Sequence, residues 1–272
     1  EFSMQITKMS SLGNEILILN LLTEERSISS EEVQKFHIKN ITTFDQLITI
    51  EPPQNSNNHL KSTIFNKDGS IADNCINGSR CVAKYVSEKS LIIDNTFIVE
   101  TDGGNWELSV LSGEFFSTKI PSPKSDPKDL PFLAERSDKY FLDFENQSLQ
   151  IGITSIGNPH AVSFMSDIKS FPLVAWGENF NKNKKFPKGV NLGIASILSQ
   201  QEIDLRVYER GAGETLACGS GACAAVVIGN NLGLLDQKVK VNFKTGSLQI
   251  ECGELTGLRA IGDANFHKNY DF

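Results

Sequence analysis

Short apolar or alternating runs, cut by glycine, asparagine and aspartate, dominate the chain and predict strands rather than helices. Residues 96–101, 106–111 and 114–119 form one such series, parted by Asp102-Gly103-Gly104 and by Ser112-Gly113. Residues 140–145, 149–155, 239–243 and 247–252 continue it. Helical signals are few. Ser29-Ser30-Glu31-Glu32 reads as a capping-box start for a short helix into His37, since serine and a glutamate three positions on can each take the other's N–H. Two further helices are predicted just after Cys75 and Cys218, through 82–88 and 222–231. The stretch 121–131, rich in proline, serine and lysine, reads as a junction between halves spanning 4–120 and 121–272, with the final residues packing back on the first half.

The two halves repeat one another. Asn66 lies nine residues before Cys75, and Glu209 nine before Cys218. An aromatic residue precedes each (Phe65, Tyr208) and a basic one follows (Lys67, Arg210). Three residues after each cysteine stands a glycine, Gly78 or Gly221. Gly13-Asn14 matches Gly157-Asn158 at an offset of 144, against 143 for the cysteines. Matches at nearly one offset point to a duplicated module.

Composition narrows the chemistry. The 272 residues carry a net charge of −7 with no dense cluster of lysine and arginine, so nucleic acid is not expected as a partner. No apolar run approaches the ~20 residues of a membrane span. Glu1-Phe2-Ser3, ahead of Met4, reads as a cloning remnant; no signal peptide follows, and a cytoplasmic chain is expected. Five cysteines, an odd number without metal-knuckle spacing, argue for reduced thiols over a disulfide framework or a structural metal. Of these, Cys81 and Cys223 are expected on helix packing faces and Cys252 at a strand end.

Cys75 and Cys218 differ, because each sits in a glycine-rich turn opening a helix. Helix-start N–H groups lack partners and carry the positive end of the macrodipole; they bind anions and lower a nearby thiol's pKa. Two such modules facing one another would give a carboxylate two helix starts, and the adjacent carbon one sulfur on each side. That suits inversion at the α-carbon of an amino acid without metal or cofactor: one thiolate removes a proton and one thiol returns it to the opposite face.

On these residues the chain resembles diaminopimelate epimerase. The stretch ERGAGETLACGSGACAA at 209–225 and DGSIADNCINGSRC at 68–81 resemble the family's two cysteine motifs. GNPHAV at 157–162, KMSSLGNEILIL at 8–19, TFDQL at 43–47 and PKGVNL at 187–192 match its other landmarks in order. The resemblance implies an α/β (α+β) fold of two pseudo-symmetric halves, each a β-sheet curled around a central helix, with the active site in the cleft between them. It implies that Cys75 and Cys218 exchange the proton and that His160 and Glu209 tune them. Asn14, Gln46, Asn66, Asn158, Asn191, Glu209 and Arg210 fall on its substrate-contact positions, with backbone donors from Ile76, Asn77, Gly219 and Ser220. It further implies a homodimer that converts LL-diaminopimelate to the meso isomer, for lysine and peptidoglycan synthesis. Arg210 suits a carboxylate, which a guanidinium grips with two prongs.

Three positions depart from the family pattern. Cys75-Ile76-Asn77-Gly78 stands for Cys-Gly-Asn-Gly, Ser11 for a glycine, and Ile261-Gly262-Asp263-Ala264 for a Gly-Pro-Ala segment. Isoleucine keeps the backbone N–H but disfavours a positive φ. A related two-cysteine racemase acting on another amino acid, such as histidine, is the main rival; a regulatory relative that has lost the chemistry and a thiol-redox protein are weaker ones.

Overall fold

The protein is described from a computed structural model that covers residues 5–24, 26–38, 42–111 and 114–271. Glu1-Phe2-Ser3 and Ser112-Gly113 lie outside the described residues. The chain divides into two compact units: residues up to Lys119 with those from Ile261 onward, and residues 120–260.

The first unit contains β1 (Gln5–Ser11), β2 (Asn14–Asn20), α1 (Ser30–Ile38), β3 (Gln46–Ile50), β4 (Leu60–Lys61), β5 (Ile64–Asn66), α2 (Ile76–Glu88), β6 (Thr96–Glu100), β7 (Trp106–Val110) and β8 (Phe115–Ile120). The second contains β9 (Tyr140–Phe144), β10 (Gln147–Ser155), β11 (Pro159–Phe164), α3 (Leu173–Lys182), β12 (Asn191–Ser199), β13 (Glu202–Glu209), β14 (Gly213–Thr215), α4 (Gly219–Asn231), β15 (Lys238–Phe243) and β16 (Gly246–Gly253). β17 (Gly257–Asp263) leads back to the first unit, where β18 (Asn265–Asp271) pairs antiparallel with β1. This is the mixed α+β fold expected from the sequence.

One pairing scheme occurs twice. In the first unit β1 and β2 form a hairpin, β3 joins β2 in parallel, and β5 joins β3 antiparallel. In the second, β10 and β11 form the hairpin, β12 joins β11 in parallel, and β13 joins β12 antiparallel. Asn66 ends β5, Glu209 ends β13, and each chain then turns into a helix that opens at a cysteine. The two halves are pseudo-symmetric in this sense.

Each of those helices is the centre of its unit. α4 is apolar all round and packs on β10, β11, β12 and β16, with Gly219 and the run from Gly221 to Gly229 buried. Its composition alone calls for such burial. α2 packs on β1, β2, β3 and β7 and is buried from Ile76 to Val86, yet that stretch includes Asn77, Ser79, Arg80 and Lys84. Buried polar groups must find partners. Ser79 Oγ, for instance, lies 2.8 Å from the Ile76 carbonyl and 2.6 Å from Thr118 Oγ1.

The capping box at Ser29 is present: Glu32 N–H donates to Ser29 Oγ at 3.3 Å and Ser29 N–H to Glu32 Oε2 at 2.9 Å. α3 is an addition to the elements read from the sequence. It follows Pro172 with no side-chain cap and docks through Leu173, Trp176, Gly177 and Phe180. Tertiary packing of that face, rather than end signals, makes it a helix. Cys81 and Cys223 are fully buried, and Cys252 lies at the end of β16.

Candidate active site

Cys75 and Cys218 are the N-cap residues of α2 and α4. Their backbones are extended, with φ and ψ of −148° and 94° for Cys75 and −137° and 113° for Cys218. Each sulfur accepts the N–H three residues on: Gly78 to Cys75 Sγ at 3.2 Å, Gly221 to Cys218 Sγ at 3.3 Å. A thiol in place of serine at this position puts sulfur in the field of the helix start. Glycine at the third position is what permits the approach. A Cβ on Gly78 would collide with Ile48 Cδ1 and lie 3.0 Å from Cys75 Sγ; one on Gly221 would lie 2.9 Å from Val207 Cγ2 and 3.3 Å from Cys218 Sγ. The first two N–H groups of each helix, those of Ile76 and Asn77 and of Gly219 and Ser220, have no acceptor within their own helix.

Around Cys218 the second unit gathers ionisable and amide groups. Ser220 Oγ is 3.4 Å from Cys218 Sγ and 3.1 Å from His160 Nε2. His160 Nε2 also lies 3.0 Å from Asn158 Oδ1 and 3.4 Å from Asn191 Nδ2, the latter because His160 and Asn191 are paired residues of β11 and β12. Asn191 Oδ1 accepts the Arg210 N–H at 2.7 Å, and the Arg210 guanidinium donates to the Lys188 carbonyl at 2.7 Å. Glu209 Oε1 accepts the Thr215 hydroxyl at 2.6 Å.

Electrostatics separate the groups. Burial, and then the Arg210 charge, hold His160 down at about 3, so the ring is neutral at physiological pH. Burial, and then the Glu209 charge, push the Cys218 thiol well above the ordinary range; hydrogen bonds from Ser220 and the Gly221 N–H oppose this without reversing it. These surroundings favour the thiol form of Cys218. All five cysteines are thiols rather than half-cystines.

In the first unit the candidate amide residues form two linked pairs. Gln46 and Asn66 are paired across β3 and β5, and Gln46 Nε2 donates to Asn66 Oδ1 at 3.1 Å. Asn66 Nδ2 donates in turn to Ser70 Oγ at 3.0 Å, while Gln46 Oε1 is buried with no partner among the described residues. Asn77 Nδ2 donates to Asn14 Oδ1 at 2.8 Å. Asn14 follows a two-residue turn in which Leu12 and Gly13 both have positive φ, 52° and 84°, as tight right-twisted hairpins require. For leucine that conformation is strained, and it fixes where Asn14 leaves the turn.

Sequence reasoning missed three contributors. Asn74, beside Cys75, is held by the Trp106 indole, Nε1 to Oδ1 at 3.0 Å. The Ser220 hydroxyl, and not only its N–H, touches the site. Arg80, at the start of the second turn of α2, is fully buried against Ser11 and Asn77. A lone arginine three residues past a site asparagine was the available signal. Ile76 is the first residue of α2, buried, and has no positive φ, so its side chain fits the backbone there.

Among the described residues no helix is long and apolar enough to cross a membrane, and no three of His, Cys, Asp and Glu gather as a metal site needs. A family model described as diaminopimelate epimerase matches residues 6–114 and 152–266. A diaminopimelate epimerase of Teredinibacter turnerae is 38% identical over 249 residues, 91% of this chain and 90% of that protein. Among solved structures, a PhzF-family phenazine biosynthesis protein of Bacillus anthracis shares the fold at a TM-score of 0.71 and 16% identity, over 100% of this chain and 99% of the other. A hydroxyproline epimerase from Agrobacterium vitis does so at 0.68 and 10%, over 99% and 92%.

Proposed function

The chain belongs to the diaminopimelate epimerase family, and from that premise we propose that Cys75 and Cys218 together invert one α-carbon of diaminopimelate. The observation that carries the proposal is the matched capping of α2 and α4, which gives both sulfurs the same N–H partner and the same place at a helix start.

Cys75 Sγ, as thiolate, takes the α-proton, and the electron pair left on carbon delocalises into the carboxylate. The N–H groups of Ile76 and Asn77 and of Gly219 and Ser220 hold the growing charge. The Cys218 S–H gives its proton to the opposite face of the same carbon, leaving a thiolate on Cys218 and a thiol on Cys75. The reverse reaction starts from that state. Burial and Glu209 favour the thiol form of Cys218, which supports its role as the acid. The position equivalent to Glu209 in the first half is the neutral Asn66, which leaves Cys75 as the base. Neutral His160 keeps a second positive charge away from a site that already contains Arg210.

The far end of diaminopimelate is itself an amino acid. Arg210 and Asn191 serve its carboxylate, with Asn158 beside them, and the partnerless Gln46 Oε1 is an acceptor suited to its ammonium group. Asn14 and Asn66 complete the polar lining. No cofactor enters the mechanism. The enzyme works in the cytoplasm as a homodimer on a free amino acid, with lysine and peptidoglycan precursors as its products' destination.

Incubation with LL-diaminopimelate in deuterated water tests this. Deuterium is expected at the α-carbon as meso isomer accumulates, and Cys75→Ala and Cys218→Ala each abolish the conversion. Exchange with histidine but not diaminopimelate, or full activity in either variant, would sink it.

A further inference from the structure

Arg80 is fully buried on a helix whose neighbours are mostly apolar, an expensive place for a cation. Its guanidinium donates from Nη1 to the Ile76 carbonyl at 3.1 Å, from Nε and Nη2 to Ser11 Oγ at 3.2 and 2.8 Å, and from Nη2 to Asn77 Oδ1 at 2.8 Å. Ser11 Oγ, itself fully buried, passes its own proton to the Asp263 carbonyl at 2.8 Å. Ser11, Ile76 and Asp263 all lie at or within the three departures from the family pattern; the first two contact this side chain directly and Asp263 reaches it through Ser11.

The chemistry of donors then dictates orientations along a chain of groups. A guanidinium has only donors. The atom of Asn77 that faces it must therefore be the carbonyl oxygen, which turns the Asn77 amide nitrogen outward. That nitrogen is 2.8 Å from the Asn14 side chain, so Asn14 must meet it with its oxygen. That takes one of the two lone pairs of the Asn14 oxygen and leaves both Nδ2 hydrogens turned away from Asn77. An asparagine free to turn could present either end of its amide; this one is held with its oxygen on Asn77.

We infer that Arg80 is a positioning residue which, through Asn77, locks Asn14 as a donor and so makes that part of the site selective for a carboxylate over an ammonium group. The inference rests on the reading of Asn14 as a ligand contact. It adds an orientation to that reading, and a residue that no ligand touches. Ser11 holds the guanidinium fork against Asn77, which a lysine, with one point charge on a flexible stem, would not reproduce.

The experiment follows the side-chain amide of Asn14 by NMR in asparagine-labelled protein, its peak assigned by its loss in Asn14→Asp. The ligands are pimelate, which has two carboxylates and no amines, and 1,5-diaminopentane, which has the reverse. Pimelate is expected to move the Asn14 amide peak and the diamine to leave it. In Asn77→Ser and in Arg80→Lys the pimelate response should weaken about tenfold or more, as expected for a lost hydrogen bond to a charged group. Amide-proton exchange at Asn14 should quicken in both, while Ser11→Ala gives a smaller change of the same sign. A wild-type response to the diamine, or to neither ligand, overturns the inference. So does an unchanged pimelate response in Asn77→Ser, the variant least apt to disturb folding. Turnover is not part of the readout, so a protein that binds pimelate at Asn14 but leaves diaminopimelate unconverted sinks the proposed function and keeps the relay.

Discussion

The Cys218 thiol lies close enough to the Glu209 carboxylate for its negative charge to oppose loss of the proton. The counterpart of Glu209 in the other half is Asn66, which is neutral and engaged with Gln46 and Ser70. The two copies of one module thus present their sulfurs alike but charge their surroundings differently. In the proposed mechanism such asymmetry lets one thiol begin as acid while its twin begins as base.

Glu209→Gln removes the charge and should lower the Cys218 pKa. Alkylation of Cys218 by iodoacetamide, followed by mass spectrometry against pH, is then expected to accelerate at any fixed alkaline pH, with its midpoint moved downward. Epimerisation should fall by about ten- to hundredfold, since the acid is no longer matched to its task. An unmoved alkylation profile would remove Glu209 from the tuning of Cys218.

Gly78 and Gly221 make the sulfur contacts possible, and the space around them is measurable. Gly78→Ala drives a Cβ into Ile48 Cδ1, and Gly221→Ala presses one against Val207 Cγ2 at 2.9 Å. Each should cost about 1–3 kcal/mol of stability as overpacking does. Adding Ile48→Val to Gly78→Ala removes the methyl in the way and should recover part of the loss in urea unfolding. No recovery would mean that the sulfur contact, and not Ile48, sets the constraint.

These contacts show where the sequence was readable. The strand series stands out because turn residues punctuate it, and β6, β7, β9 and β15 begin or end within a residue of the runs read from the chain. The cysteine loops were legible through duplication, because the nine-residue spacing survives in both copies. α3 was not, since Pro172 gives its start no side-chain cap and only packing of Trp176 and Phe180 holds it. Arg80 was missed for a related reason. Its importance comes from burial on every side of α2, and this helix, though surrounded by strands, carries polar residues that make it look amphipathic in sequence. The direction of an amide is further still from sequence, because it depends on a donor three residues away in the helix and an acceptor on another strand.

His160 predicts a specific acid sensitivity. Its folded value is about 3, whereas the unfolded chain takes up that proton near 6.5. Between those limits the unfolded state binds more protons, so the contribution is whole above pH 6.5 and is lost as pH falls toward 3. The loss approaches about 1.4 kcal/mol per pH unit. His160→Gln lacks the titrating ring, so its stability should fall less steeply than wild type between pH 6.5 and 4 in urea unfolding. Parallel curves would show that the ring is protonated in the folded protein after all.

Ile76 stands where the family pattern has glycine, and the structure turns that departure into a testable asset. The residue opens α2 without a positive φ, and its side chain is 5% exposed. Glycine there would forfeit the buried side chain, about 2–5 kcal/mol by analogy with large-to-small core changes. The N–H proposed to meet the carboxylate would survive, and so would the carbonyl that Arg80 holds. Ile76→Gly is therefore expected to melt markedly earlier while keeping near wild-type turnover and KM well below its melting point. A variant as stable as wild type would mean the cavity collapses without cost. A variant that folds but loses its grip on substrate would mean the isoleucine side chain, and not only its backbone, shapes the carboxylate site.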